Sequence, residues 1–264
     1  MFSIVVVAFI GCHNAPTYTD FEPQKIVDAF VDLQPHADLE QELDLMRGES
    51  VRNKFDVNKY FTVLSKLRPD SGHVLDWVYF NRRIGGLPVL YAREINACPF
   101  MSFDKYAFLS TNSLPIEVSS TSQIWEHIRF GYIEKLRVED SPNGYFQLII
   151  LRLLGDRFHL FWHEYYNETF LVCSRSAWES LLQKEKKRGN PYKPPPLDFI
   201  TAAHKLDFMP KVHMKSEQVE VNVITYQPFA GINQHSFTIS RQYPHRIVGH
   251  TASNLLQHTQ EFSF

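Results

Sequence analysis

The stretch from Tyr132 to Ser174 constrains the fold most, because β-rich runs follow one another there with turn chemistry between them. Ile133–Glu139 precedes Asp140-Ser-Pro-Asn-Gly144, and Tyr145–Leu154 precedes Gly155-Asp156. Phe158–Tyr165 then precedes Tyr166-Asn-Glu168 and the run Thr169–Cys173. Gly supplies left-handed backbone, Pro a fixed φ, and Asn and Asp local side-chain hydrogen bonds, so apolar runs separated by them predict strands joined by tight turns. The segment reads as an antiparallel meander.

Other runs point the same way. Val74–Phe80 and Leu87–Arg93 flank Gly85-Gly86 and predict a hairpin near residues 74–93. Pro88 lacks a backbone donor, which places it at a strand start or facing a sheet edge. Val219–Tyr226, Ser236–Arg241 and Arg246–His250 predict further C-terminal strands. Helices are marked by caps and periodicity. Ile26, Ala29, Phe30 and Leu33 repeat at three and four, and Asp56 caps a segment lined by Tyr60, Phe61, Leu64 and Leu67. Ser102 caps one short helix and Thr121 or Ser122 another, while Ser176-Ala-Trp-Glu179 forms a capping box. A further short helix is predicted near Asp198–Leu206. The expected class is α+β: an antiparallel sheet with short helices packed on one face.

Residues 13–190 are expected to form the main domain. The Pro-rich crossing and C-terminal strands of 191–264 are read as part of it. With 264 residues, 44% hydrophobic and 21% charged, the chain has ordinary globular composition and length for a sizeable core. Aromatic residues reach 14%, which favours strands and a core rich in rings. The net charge of −2 argues against a nucleic-acid partner bound through a basic patch.

The N-terminal run Phe2–Ile10 is uncharged and ends at Gly11-Cys12. It is too short to span a bilayer and suits the apolar core of an export signal. Phe9-Ile-Gly-Cys12 resembles a bacterial lipobox, with Phe9 where the ideal pattern carries Leu. The resemblance implies that residues 1–12 are a lipoprotein signal segment, that Cys12 is lipidated and that the protein is anchored to a cell-envelope membrane. The alternative is that residues 4–9 form a buried strand of a cytoplasmic protein, since short β-branched runs read equally well that way.

Candidate chemistry is sparse. His159, His163 and Glu164 cluster in a run that composition makes a strand. Its two histidines would share a face about 13 Å apart at roughly 3.3 Å per residue, too far for one zinc. No metal and no cofactor are expected. His159, Phe161, His163 and Tyr165 would form a mixed aromatic and polar surface opposite Phe158, Leu160 and Trp162, suited to lining a cleft or underlying a helix. Cys98 and Cys173 are able to pair in an exported chain, with two buried free thiols as the alternative. Nucleophile-elbow, phosphate-loop and dinucleotide fingerprints are missing from the sequence. The preferred reading is a non-catalytic, lipid-anchored bacterial envelope protein that binds a partner or small ligand. One alternative is a hydrolase acting through His159, His163 and Glu164. The other is an intracellular interaction module, if residues 4–9 belong to the core.

Overall fold

The computed structural model describes residues 21–35, 55–82, 85–112, 120–162, 168–188 and 195–258. In chain order they form α1 (Pro23–Asp32), a 3-10 turn over Val57–Lys59 that runs into α2 (Tyr60–Val63), and β1 (Leu67–Pro69). The hairpin β2 (His73–Arg82) and β3 (Gly85–Glu94) follows, then α3 (Phe103–Asn112) and α4 (Thr121–Phe130), which continues as a 3-10 turn over Gly131–Lys135. Next come β4 (Leu136–Val138), α5 (Pro142–Leu154), β5 (Phe161–Trp162), β6 (Phe170–Val172), α6 (Arg175–Arg188) and α7 (Leu197–Ala203). The chain then forms β7 (Lys211–Met214), β8 (Gln218–Gln227), β9 (Gly231–Ser240) and β10 (Ile247–Leu256). No helix among the described residues is long and apolar enough to cross a membrane.

Among the described residues every strand pairing is antiparallel, in three sheets, so the α+β class with antiparallel sheets is the architecture adopted. A two-stranded ribbon joins β1 to β4, and β3 lies between β2 and β5. The largest sheet runs β10–β9–β8, with β6 and β7 side by side on the far edge of β8. The predicted hairpin and all three C-terminal strands are present, each strand longer than its sequence signal. Pro88 lies opposite Tyr79 of β2, and among the described residues β3 meets β5 only at Gly85 and Gly86, so Pro88 has no paired strand on its other side, as a residue without a donor requires of an edge.

The meander does not form. Its second run, Tyr145–Leu154, is the α5 helix, and the flanking runs go to different sheets: β4 to β1, β5 to β3 and β6 to β8. Two local features explain the difference. Ser141 is the N-cap, its Oγ accepting from the Gly144 amide at 3.1 Å, and Pro142 at the first helical position pre-sets the helical φ. What resembles a hairpin turn is therefore a helix start. The largely apolar run, broken by Gln147 and Arg152, reflects a helix buried over most of its surface, which periodicity cannot separate from a buried strand.

α5 organises the core. Tyr145, Phe146, Leu148, Ile149 and Ile150 are fully buried, and they pack with Val219, Val221 and Val223 of β8 and with Phe30, Tyr60 and Trp77. The alternate residues Ile224 and Tyr226 of β8 join Trp178 of α6 and Phe199 of α7 in a second cluster. The two-residue period of the strand thus gives β8 a different apolar partner on each face. A third cluster packs Tyr106 of α3 and Ile128 of α4 on Val78, Val89 and Tyr91 of the hairpin.

Candidate functional site

His159 lies in the core rather than along a strand. It precedes β5 with φ of 47°, is 1% exposed, and its ring sits 6.0 Å from Trp77 and 5.5 Å from Phe158. Its carbonyl accepts from the Tyr79 hydroxyl at 3.0 Å. His163, Glu164 and Cys12 lie outside the described residues. Cys98 and Cys173 are both free thiols, the first exposed and the second buried. Burial pushes the Cys173 thiol far above its usual range, and its amide donates to Gln24 Oε1 of α1 at 2.9 Å. Among the described residues no three His, Cys, Asp or Glu side chains converge as a metal site would require.

A polar constellation that motif reasoning missed lies on the largest sheet. Thr225 of β8, His235 of β9 and His250 of β10 follow a diagonal across three strands. Diagonal neighbours share a face and fall within side-chain reach. His235 Nε2 is 2.9 Å from Thr225 Oγ1, and its Nδ1 is 3.1 Å from His250 Nε2. Phe237 stacks on His250, with centroids 4.3 Å apart and planes within 2°. Burial lowers the His235 pKa to about 4, aided by His250 and Arg152, and burial lowers that of His250 as well. Both rings are neutral at neutral pH, each with one donor and one acceptor. No local motif announces this chain, because its members come from three strands separated by turns. Its trace in the sequence is the polar run Asn233–Ser236 of β9.

The order hydroxyl, imidazole, imidazole is that of a nucleophile, its base and an orienting group. Accessibility decides against attack: Thr225 is 0% exposed, so its hydroxyl meets protein rather than substrate. The three side chains act as a strap across the strands. Beside them Arg152 pairs with Glu126 at 2.6 Å, its guanidinium 3.1 Å from the centre of the Phe130 ring, and Arg129 is bonded to Asp156. The Arg152 charge favours the neutral form of both histidines, and Glu126 opposes it at His250.

The accessible part of this region is β10. Among the described residues it pairs with β9 alone, and Val248 and every residue from His250 to Asn254 is exposed. Alternate residues of an edge strand present unpaired amide and carbonyl groups outward. Folds usually guard such an edge with charge, proline or brevity. The opposite edge of the sheet is guarded in this way, since β6 has three residues and β7 has four, with Lys211 at its start and Lys215 just beyond. β10 has ten residues without a charge or a proline. No family model, no curated protein and no solved structure matches the chain.

Proposed function

We propose that this chain is a non-catalytic binding protein that accepts an extended partner strand along β10 and is held at a bacterial cell-envelope membrane through lipid on Cys12. The observation that carries the binding role is the uncharged, ten-residue edge of β10, which offers main-chain hydrogen bonds to an incoming strand. The strap from Thr225 through His235 to His250 fixes β10 on its neighbours, so the edge is pre-organised rather than ordered on binding. Fully buried Thr225 favours this role over hydrolysis. The address rests on the lipobox resemblance at Phe9–Cys12. With residues 4–9 as a core strand instead, the same edge serves an intracellular interaction module.

Hydrogen exchange of the full-length protein in its native membrane tests the binding role. The β10 amides that face away from β9 are expected to exchange at least an order of magnitude more slowly there than in Thr251→Lys. Equal, fast exchange in both proteins would retire the proposal. The address is checked by intact mass and fractionation of protein expressed from its native upstream region. Acylation and membrane recovery that are lost in Cys12→Ala are expected.

A further inference from the structure

We infer that the strand taken up by β10 is β10 of a second copy, paired antiparallel about a two-fold axis through Thr251. The inference rests on the reading of β10 as a docking edge and names its occupant. An edge-to-edge pair related by a two-fold normal to the sheet keeps each side chain on its own face, so the residue on the axis meets itself and its neighbours meet in mirrored order. With Thr251 on the axis, Thr251 faces Thr251, His250 faces Ala252, and Gly249 faces Ser253.

Three observations favour a second copy. First, no Asp, Glu, Lys or Arg occurs between Ile247 and His258. A two-fold axis sets every charge near its own image, and like charges directly opposite are destabilising, so a neutral edge is the kind that self-pairs. The cross-strand pair on the axis, Thr–Thr, is a favourable one. Second, the register against β9 is unbroken only from Gly249 to Asn254, with irregularities between Ile247 and Gly249 and between Asn254 and Leu256. Bulges twist an edge away from continued pairing, so they confine contact to the segment centred near Thr251. Third, the far edge of the sheet is broken into the short strands β6 and β7, with Lys211 and Lys215 alongside. Growth beyond two copies is blocked, and antiparallel pairing of β10 with itself uses up the open edge as a closed dimer.

The test is sedimentation of the full chain carrying Cys12→Ala, so that no acyl group drives association, across a series from low to high micromolar. The unmodified edge is expected to approach twice the monomer mass with rising concentration. Thr251→Lys and Thr251→Glu are each expected to stay monomeric, because each sets like charges together on the axis. An equimolar mixture of the two is expected to recover the doubled mass. Position 251 is exposed, and unchanged circular dichroism establishes that the variants fold. A chain that stays monomeric throughout, or a Thr251→Lys variant that doubles in mass as readily as its parent, overturns the inference. A monomer whose β10 amides are protected in the membrane would retire self-pairing and leave the docking edge to a foreign strand. A monomer with unprotected β10 amides would retire both.

Discussion

Gly231 opens β9 with φ of 83°, in the left-handed region, and a Cβ there would collide with the Leu256 carbonyl oxygen. Side chains are excluded twice over, by conformation and by space, so Gly231→Ala is expected to destabilise by more than about 1 kcal/mol in urea titration. Titratable residues act through the same strands. His235 is held near a pKa of about 4, against an unfolded value near 6.5, so the unfolded chain binds more protons between these limits. Its contribution is full above about 6.5 and is lost as pH falls towards 4. The groups around it, His250, Arg152 and Glu126, include one further histidine with a lowered pKa. His235→Gln is therefore expected to make the decline of the urea midpoint in this window shallower without abolishing it. Below pH 4 Asp70 contributes, together with Glu139, Asp140 and Asp207, whose pKa values are lowered too. Hydrogen bonds from the Tyr243 hydroxyl at 2.6 Å and the Arg137 side chain at 2.8 Å lower the Asp70 pKa to about 2. The stability it contributes is present above about 3.9 and lost as pH falls through 2, and Asp70→Asn is expected to make the midpoint's dependence over that lower window shallower without abolishing it, the window above 4 staying unchanged.

Among the described elements, α5 buries the most residues. Leu148 is 0% exposed, and the helix lies between β8 and the α1–α2 side of the core. Truncation to alanine leaves a cavity that several elements would have to collapse to fill, and Leu148→Ala is expected to cost about 2–5 kcal/mol. Ser141→Ala at the cap is expected to cost about 1 kcal/mol, because one amide loses its acceptor while the packing stays. These two values also bear on what the sequence made legible. Short-range capping chemistry was readable: Asp56 accepts from the Asn58 amide as its position implied, and helices follow Ser102 and the Thr121–Ser122 pair. The first residue was not always placed, since Ser120 rather than Thr121 or Ser122 caps α4, and Ser174 rather than Ser176 bonds the first-turn amide of α6. Burial over most of its surface erases the amphipathic signature of α5, so the turn residues around it mimic those of an antiparallel meander. The candidate site was less legible still. Thr225, His235 and His250 become neighbours only through the register of β8, β9 and β10, which no local pattern records.

For the molecule as a whole, the main core cluster joins residues from Val27 of α1 to Ile239 of β9, and β6 pairs with β8 across the Pro-rich crossing. One face of β8 and β9, with Val219, Val221 and Phe237, packs in the cluster that holds α5, while Ile224 and Tyr226 on the other face of β8 join α6 and α7. Arg241, at the end of β9, adds a bidentate bond to Asp140 beside the α5 cap, at 2.8 and 2.7 Å. A shared core implies loss of structure in one step, because opening the largest sheet exposes α5 and with it α1 and the hairpin. Cys173 reports on that step. It is 0% exposed within the shared cluster and tied through its amide to Gln24, whereas Cys98 is exposed. A thiol reagent is expected to modify Cys98 in the native protein at once and Cys173 only with global unfolding. Through a denaturant series the midpoint for Cys173 labelling should coincide with that of tryptophan fluorescence. A lower midpoint for Cys173 would mean that β6 and its neighbours open as a separate unit, and the C-terminal strands would then stand on a core of their own.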